Sequence, residues 1–154
     1  MRRIAVTADV FDAAHETQAL QGGRTDVGAV VTFVGYCRDE AGTLTALELE
    51  HFPGMAEAEL ERIAIEAERR WPLLGLSMIH RHGLIRPGEP IVLVATASRH
   101  RAAAFAAAEF LMDFMKTDAP FWKREHRDGS AADPRSAEAW VEAKPTDDAA
   151  KARW

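Results

Sequence analysis

The sequence predicts an α+β domain with a mostly antiparallel sheet and packed helices. Two observations carry this. The segments run strands, helix, hairpin, helix, short strands, which is not a regular β–α alternation. A Pro87-Gly88 step joins two apolar runs and suits the central positions of a type II turn, so those runs form an antiparallel pair. The length, 154 residues, suits one domain over 1–154, with a core at about 27–144 and a polar tail at 145–154.

Each element has a local reason. "RIAVTADV" reads as a short first strand. Asp9 precedes a weak helical segment to about Leu20, ended by "QGG". "VGAVVTFVGYC", Val27 to Cys37, is β-branched and apolar, as a buried strand requires. "RDEAG" is a loop, and Thr43 to Phe52 reads as a strand with one solvated face. Pro53-Gly54 turns the chain into a helix whose Leu60, Ile63, Ala67 and Trp71 fall on one face. Its glutamates lead and its arginines close, as the helix dipole prefers, and Pro72 stops it. "LSMIHRHGLI" and "PIVLVATAS" are the hairpin strands. Ser98 is placed to cap a helix from Arg99 to about Lys116, apolar on most sides and therefore buried in a core or a subunit contact. Pro120 forces "PFWKRE" into an extended form. A polar loop, "HRDGSAADPRSAEA", leads to "WVEAK", a candidate last strand.

The bulk numbers exclude several functions. Net charge is −5, the wrong sign for broad nucleic-acid or anionic-membrane binding. No apolar run reaches the ~20 residues of a membrane span, and the first residues lack the apolar stretch of a signal peptide. A single cysteine, Cys37, allows no internal disulfide and fits a reducing compartment, so a cytoplasmic protein is expected. No Walker loop, dinucleotide fingerprint or nucleophile elbow is present. No cofactor is called for. His80 and His82 share a strand face, but nothing nearby completes a zinc site, so no metal is expected.

The basic residues are the informative ones. In "SRHRAAAF", His100 and Arg101 fall in the first turn of a helix, where cations oppose the dipole and free N–H groups point outward. This describes an anion site, or equally a solvated corner that tolerates a small cost. Lys116 closes the same helix, where a lysine is favourable without any function. Lys123 and Arg124 follow Phe121 and Trp122 in an extended stretch, so Phe121 shares a face with Lys123 and Trp122 with Arg124. Arg38 follows a strand end, where it either serves a site or pairs with Asp39 or Glu40. Cys37 beside it reads more readily as a small buried thiol than as a nucleophile.

Taken in order, "GAVVTFVGYCRDE", "LELEHFPGMAEAEL", "RRWPL", "IHRHGLIRPGEPIVLVATASRHRAAAF", "EFLMDFMKTDAPFWKRE" and "WVEAK" resemble one family, the large, catalytic subunit of molybdopterin synthase (the MoaE type). The likeness runs from about Val27 onward. It implies an enzyme of molybdenum-cofactor biosynthesis, a sulfurtransferase that converts cyclic pyranopterin monophosphate into molybdopterin by installing a dithiolene. The sulfur comes from the C-terminal thiocarboxylate of a small ubiquitin-like partner. The resemblance also implies a central homodimer within a heterotetramer. By position, it implies substrate contacts at Tyr36, Cys37, Arg38, His100, Arg101, Lys116, Lys123, Arg124 and Glu125, with Phe33 and Met115 as apolar lining. His100 and Arg101 would serve the neighbouring subunit's pocket. Lys116 would be the chemical lysine and Lys123 mainly an anion anchor. Tyr36-Cys37 stands where Lys-Val occurs in other members, so that contact is expected through backbone. The rival functional reading is a non-catalytic docking module for a ubiquitin-like tail. A different phosphopterin or nucleotide enzyme on the same scaffold is a further rival.

Overall fold

The computed structural model describes residues 1–128 and 145–154. Its elements are β1 (Arg2–Thr7), α1 (Ala13–Gln21), β2 (Ala29–Tyr36), β3 (Leu44–His51), α2 (Met55–Arg70), β4 (Leu73–Arg81), β5 (Gly83–Ile85), β6 (Pro90–Ser98), α3 (Arg101–Thr117), β7 (Phe121–Arg127) and α4 (Pro145–Lys151). They build two sheets, one of four strands in the order β1-β4-β6-β2 and one of three in the order β5-β3-β7. Among the described residues only the β1–β4 pair is parallel. The α+β, mostly antiparallel expectation holds.

Side-chain alternation divides the four-stranded sheet into two buried faces. Leu76, Met78, Val92 and Val94 pack against α2 and α3, through Leu60, Ile63, Phe110 and Leu111. Ile79, Leu93, Ala95 and Ala97 face the other way, toward Leu20 of α1. The sheet is therefore the middle of three layers, which explains why β4 and β6 are apolar on both sides and read as continuous runs rather than alternating ones. The three-stranded sheet has its own small core of Cys37, Leu44, Leu49 and Ile85.

Several boundaries differ from the sequence expectation. The run 76–85 is two strands, not one. It leaves the large sheet at Arg81 and re-enters pairing in the small sheet at Gly83. Gly83 has φ +82°, which the bend requires and a side chain resists. The type II turn is as expected: Glu89 N donates to Arg86 O at 3.0 Å, with Gly88 at φ +87°. α1 starts later than expected, because Asp12 rather than Asp9 caps it, accepting from the amides of Ala14 and His15. α3 also starts later. His100 occupies the N-cap position, while the Ser98 hydroxyl is drawn away to Pro72 O at 3.0 Å.

The polar tail forms α4. It lies along α3, held by Lys151 to Asp118 and by Arg153 to Asp113 and Glu109. Trp154 sets its ring edge-on against both Trp71 and Phe110, and its indole N–H donates to Asp113. The candidate strand "WVEAK" and most of the polar loop before it lie outside the described residues. Among the described residues no helix is long and apolar enough to cross a membrane.

Candidate active site

The two sheets meet beside the C-terminal end of α3 and leave a cavity of about 240 Å³. The large sheet contributes Phe33, Tyr36, His80 and Val92, α3 contributes Met112, Met115 and Lys116, and the small sheet contributes Leu47, Leu49, Phe121 and Lys123. The chain path makes this possible. α3 ends at Thr117 with Asp118 as its C-cap, Pro120 prevents its continuation, and Phe121 N closes a tight turn onto Ala119 O at 2.8 Å. β7 then runs antiparallel to β3, with Lys123 opposite Leu49 and Phe121 opposite His51. Lys116 and Lys123 thus reach one hollow from two elements.

Among the described residues the lining is otherwise mostly apolar and includes no carboxylate. The Lys116 ammonium lies 3.6 Å from the carboxylate of Asp147 on α4. Sequence reasoning had no local signal for that pairing.

The remaining candidates are placed as follows. Phe33 and Met115 line the cavity, and Tyr36 stands half-exposed at its rim. Cys37 turns away into the small sheet's core, 3 % exposed. A bulge between Gly35 and Tyr36 shifts the register at that point. Burial pushes its thiol pKa up, and the charges of Glu89, Glu125 and Asp39 push the same way, so the thiol keeps its proton. Arg38 is exposed and paired with Glu40. On β7, Arg124 lies on the face opposite Lys123 and reaches Glu48 at 3.7 Å, while Trp122 packs edge-on against Phe52. Glu125 shares the face of Lys123 but is held by Arg127 at 2.6 Å.

His100 and Arg101 lie at the other end of α3. Fifteen residues of helix separate Arg101 from Lys116, about 22 Å at 1.5 Å per residue. One chain does not bring them to the lysines. His100 makes no side-chain cap bond and the first turn holds no acidic residue, so positive charge gathers at that helix end.

His80 was weighed from the sequence only as a metal ligand. In the structure it follows Leu76 and Met78 on one face of β4 and reaches the cavity wall. Its ring stacks on Phe121, centroids 3.7 Å apart and planes 14° apart. Nδ1 lies 2.8 Å from Arg81 O. Among the described residues no group of three His, Cys, Asp or Glu is arranged to hold a metal.

Burial pushes the His80 imidazole down to about 4; its bond to the Arg81 carbonyl opposes this, and the charges of Lys123, His51 and His82 reinforce it. The sign of the consequence is fixed. An unfolded histidine binds a proton near pH 6.5, and native His80 does not until about pH 4. Stability conferred by the neutral ring is therefore complete above pH 6.5 and lost as pH falls toward 4, at up to about 1.4 kcal/mol per pH unit. Chemical denaturation at stepped pH measures it, and His80→Phe is expected to flatten the slope in that window. An unchanged slope in the variant assigns the loss to other groups.

A family model described as MoaE protein matches residues 6–118. The molybdopterin synthase catalytic subunit of Mesorhizobium japonicum is 66% identical over 145 residues, covering 94% of this chain and 87% of that protein. The structure of a molybdopterin biosynthesis MoaE protein from Burkholderia ambifaria matches with a TM-score of 0.84 at 47% identity, covering 100% of this chain and 98% of that one. The crystal structure of molybdopterin synthase from Staphylococcus aureus matches with a TM-score of 0.74 at 29% identity, over 80% and 90% of the two chains.

Proposed function

This chain belongs to the MoaE family, and on that premise we propose that it is the catalytic subunit of a molybdopterin synthase, moving sulfur from the C-terminal thiocarboxylate of a small ubiquitin-like carrier onto cyclic pyranopterin monophosphate. The relative's own name, catalytic subunit, implies at least one further subunit. The observation that carries the reading is the meeting of Lys116 and Lys123 in one hollow whose described lining is otherwise mostly apolar.

The chemistry asks for such a hollow. Both reactants are anions, a cyclic phosphate and a thiocarboxylate. Two like charges ~4 Å apart repel by about 4 kcal/mol at an effective dielectric of about 20. Two ammonium groups fixed in the cavity offset that repulsion and orient both reactants. They also stabilise the oxyanion that develops at the carrier's acyl carbon as its sulfur leaves. Lys116, on the rigid end of α3, is assigned the chemical step, and Lys123 the anchoring of the anion. Apolar walls from Phe33, Leu49 and Met115 exclude water and strengthen each charge interaction.

His100 and Arg101 are assigned to the pocket of a second copy of the chain, as the MoaE resemblance implies, and the length of α3, which keeps them from their own lysines, supports this. Arg38, exposed on the loop after β2, is free to exchange Glu40 for a substrate anion. Tyr36 and Cys37 supply backbone at the cavity's rim, and Arg124 and Glu125 flank the anchor lysine on β7. Two sulfurs are needed and each carrier brings one, so carriers dock and leave in turn, and the contact is one that releases. The reading places the reaction in the cytoplasm, where the protonated, buried Cys37 thiol persists as such.

The test is reconstitution. Purified chain, thiocarboxylated carrier and cyclic pyranopterin monophosphate are expected to yield the dithiolene product, two carriers being spent per product. Carrier that binds with no product formed would show a docking module instead. Turnover of another phosphopterin or nucleotide, with none of this substrate, would show a different enzyme on the scaffold.

A further inference from the structure

We propose that His80 is a further substrate-binding residue of this cavity, its Nε2 accepting a hydrogen bond from a ring N–H of the bound heterocycle. The inference rests on the functional reading above for the identity of the ligand.

Three observations lead to it. First, the ring is only 7 % exposed, and it lines the cavity. Second, its orientation is fixed twice, by stacking on Phe121 and by the Nδ1 bond to the Arg81 carbonyl. A carbonyl only accepts, so Nδ1 carries the proton and Nε2 is left as an acceptor. Third, no described residue bonds to Nε2, the atom on the ring edge away from the backbone. Nε2 is open to the cavity rather than sealed in the core, so a ligand that displaces solvent from the hollow leaves it unpaired, at about 1–3 kcal/mol, unless that ligand supplies an N–H.

The rest of the lining explains why this atom matters. Lys116 and Lys123 offer only donors. They suit the phosphate and the thiocarboxylate, and they select nothing about a ring edge that itself donates. A reduced pterin carries ring N–H and amino groups. With the Tyr36 hydroxyl out at the half-exposed rim, lysine donors and apolar walls give those groups no fixed acceptor deeper in the cavity. His80, set between the two sheets on the face that carries Met78, is an acceptor facing the same hollow. It divides the work: lysines read the anion, and the imidazole reads the heterocycle. The peptide N–H groups of the carrier's tail are the other donors that enter the cavity, so the test must separate the two.

The experiment titrates the cyclic pyranopterin monophosphate and, separately, the carrier into wild type, His80→Phe and His80→Gln. Phenylalanine keeps the stacking on Phe121 and deletes the acceptor. Glutamine places an amide oxygen near the position of Nε2. Expected is a 10- to 100-fold weaker Kd for the pterin in His80→Phe, roughly what one buried hydrogen bond is worth. Substantial recovery is expected in His80→Gln, with carrier affinity unchanged throughout. Pterin affinity equal to wild type in a folded His80→Phe overturns the proposal. Loss seen only with the carrier also overturns it, and assigns the atom to the tail amide. If the variants do not fold, nitrogen NMR of wild type decides. The Nε2 resonance of His80 is expected to move on adding the pterin, and an unmoved resonance refutes the contact. Wild type that binds no pterin at all refutes the functional reading itself, a result distinct from either.

Discussion

Lys116→Ala is expected to abolish product formation while the fold, carrier docking and most of the pterin affinity survive. The residue sits in the last turn of α3, where the helix fixes its backbone and Pro120 three residues beyond Thr117 turns the chain out of its way. Its side chain is half-exposed toward the cavity and the α4 edge. Truncation therefore removes no core packing, and stability changes little. The loss falls on the transition state, so kcat should drop roughly 10²- to 10⁴-fold, the range for a positioned proton-transfer group. Lys123→Ala should show the other pattern. It removes a point charge that holds the cyclic phosphate, so KM rises more than kcat falls. Lys116→Arg tests whether charge alone suffices. A guanidinium keeps the charge but is broader and never gives up its proton, so activity should not return. Steady-state kinetics with both substrates, alongside direct binding, separates these outcomes. Near-normal turnover in Lys116→Ala, with Lys123→Ala dead but still binding, reverses the assignment.

What the sequence made legible, and what it hid, divides along physical lines. Local patterns held where local energetics decide. The β-branched run of β2, the amphipathic face of α2 and the Pro87-Gly88 turn are all present, within a few residues. What failed depended on distant partners. The run 76–85 was read as one strand because burial is continuous across it. Which sheet each half joins is set by β3 and β6, and the break rests on one left-handed glycine, Gly83. Ser98 looked like a cap, but its hydroxyl is claimed by Pro72, twenty-six residues away. The tail looked featureless because α4 is held by ion pairs to α3 and by a single indole, and neither leaves a period in its own sequence.

The site divides in the same way. The lysine pair was readable, because a proline between two lysines implies two elements converging. Cys37 was readable as a small buried thiol, and it is buried; the bulge at Gly35–Tyr36 that sets the register there was not. His80 was hidden by its type. On sequence a histidine near another histidine raises the question of a metal, and only the fold sets this ring against Phe121 in the cavity wall.

The quaternary part of the reading yields the second large effect. Two inactive variants, Lys116→Ala and the double change His100→Ala with Arg101→Ala, should restore activity when co-expressed in one cell. The reason is the rod between them. α3 keeps its two cationic ends about 22 Å apart, so a pocket that needs both must take the N-terminal end from a twin. The surface beside that end suits a twin. Phe105 is 62 % exposed and Phe33 42 %, and both border a shallow, mostly apolar hollow with Val31, Ala108 and Met112, edged by Glu109 and Asp113. Phe33 and Met112 also line the lysine cavity, so the two hollows adjoin. β2, from which Val31 and Phe33 project, is an edge strand among the described residues. In a mixed dimer, one site combines both defects and is dead. The other combines a wild-type lysine with a wild-type helix start and is intact. Random pairing makes half the dimers mixed, so about one quarter of wild-type activity is expected. Differently tagged chains allow the mixed species to be purified, and that fraction should carry about half the wild-type rate. Activity no higher than in the parents would mean that each pocket draws both groups from its own chain. The length of α3 forbids that for a rigid helix, so the result would point to Lys116 and Arg101 acting at separate sites.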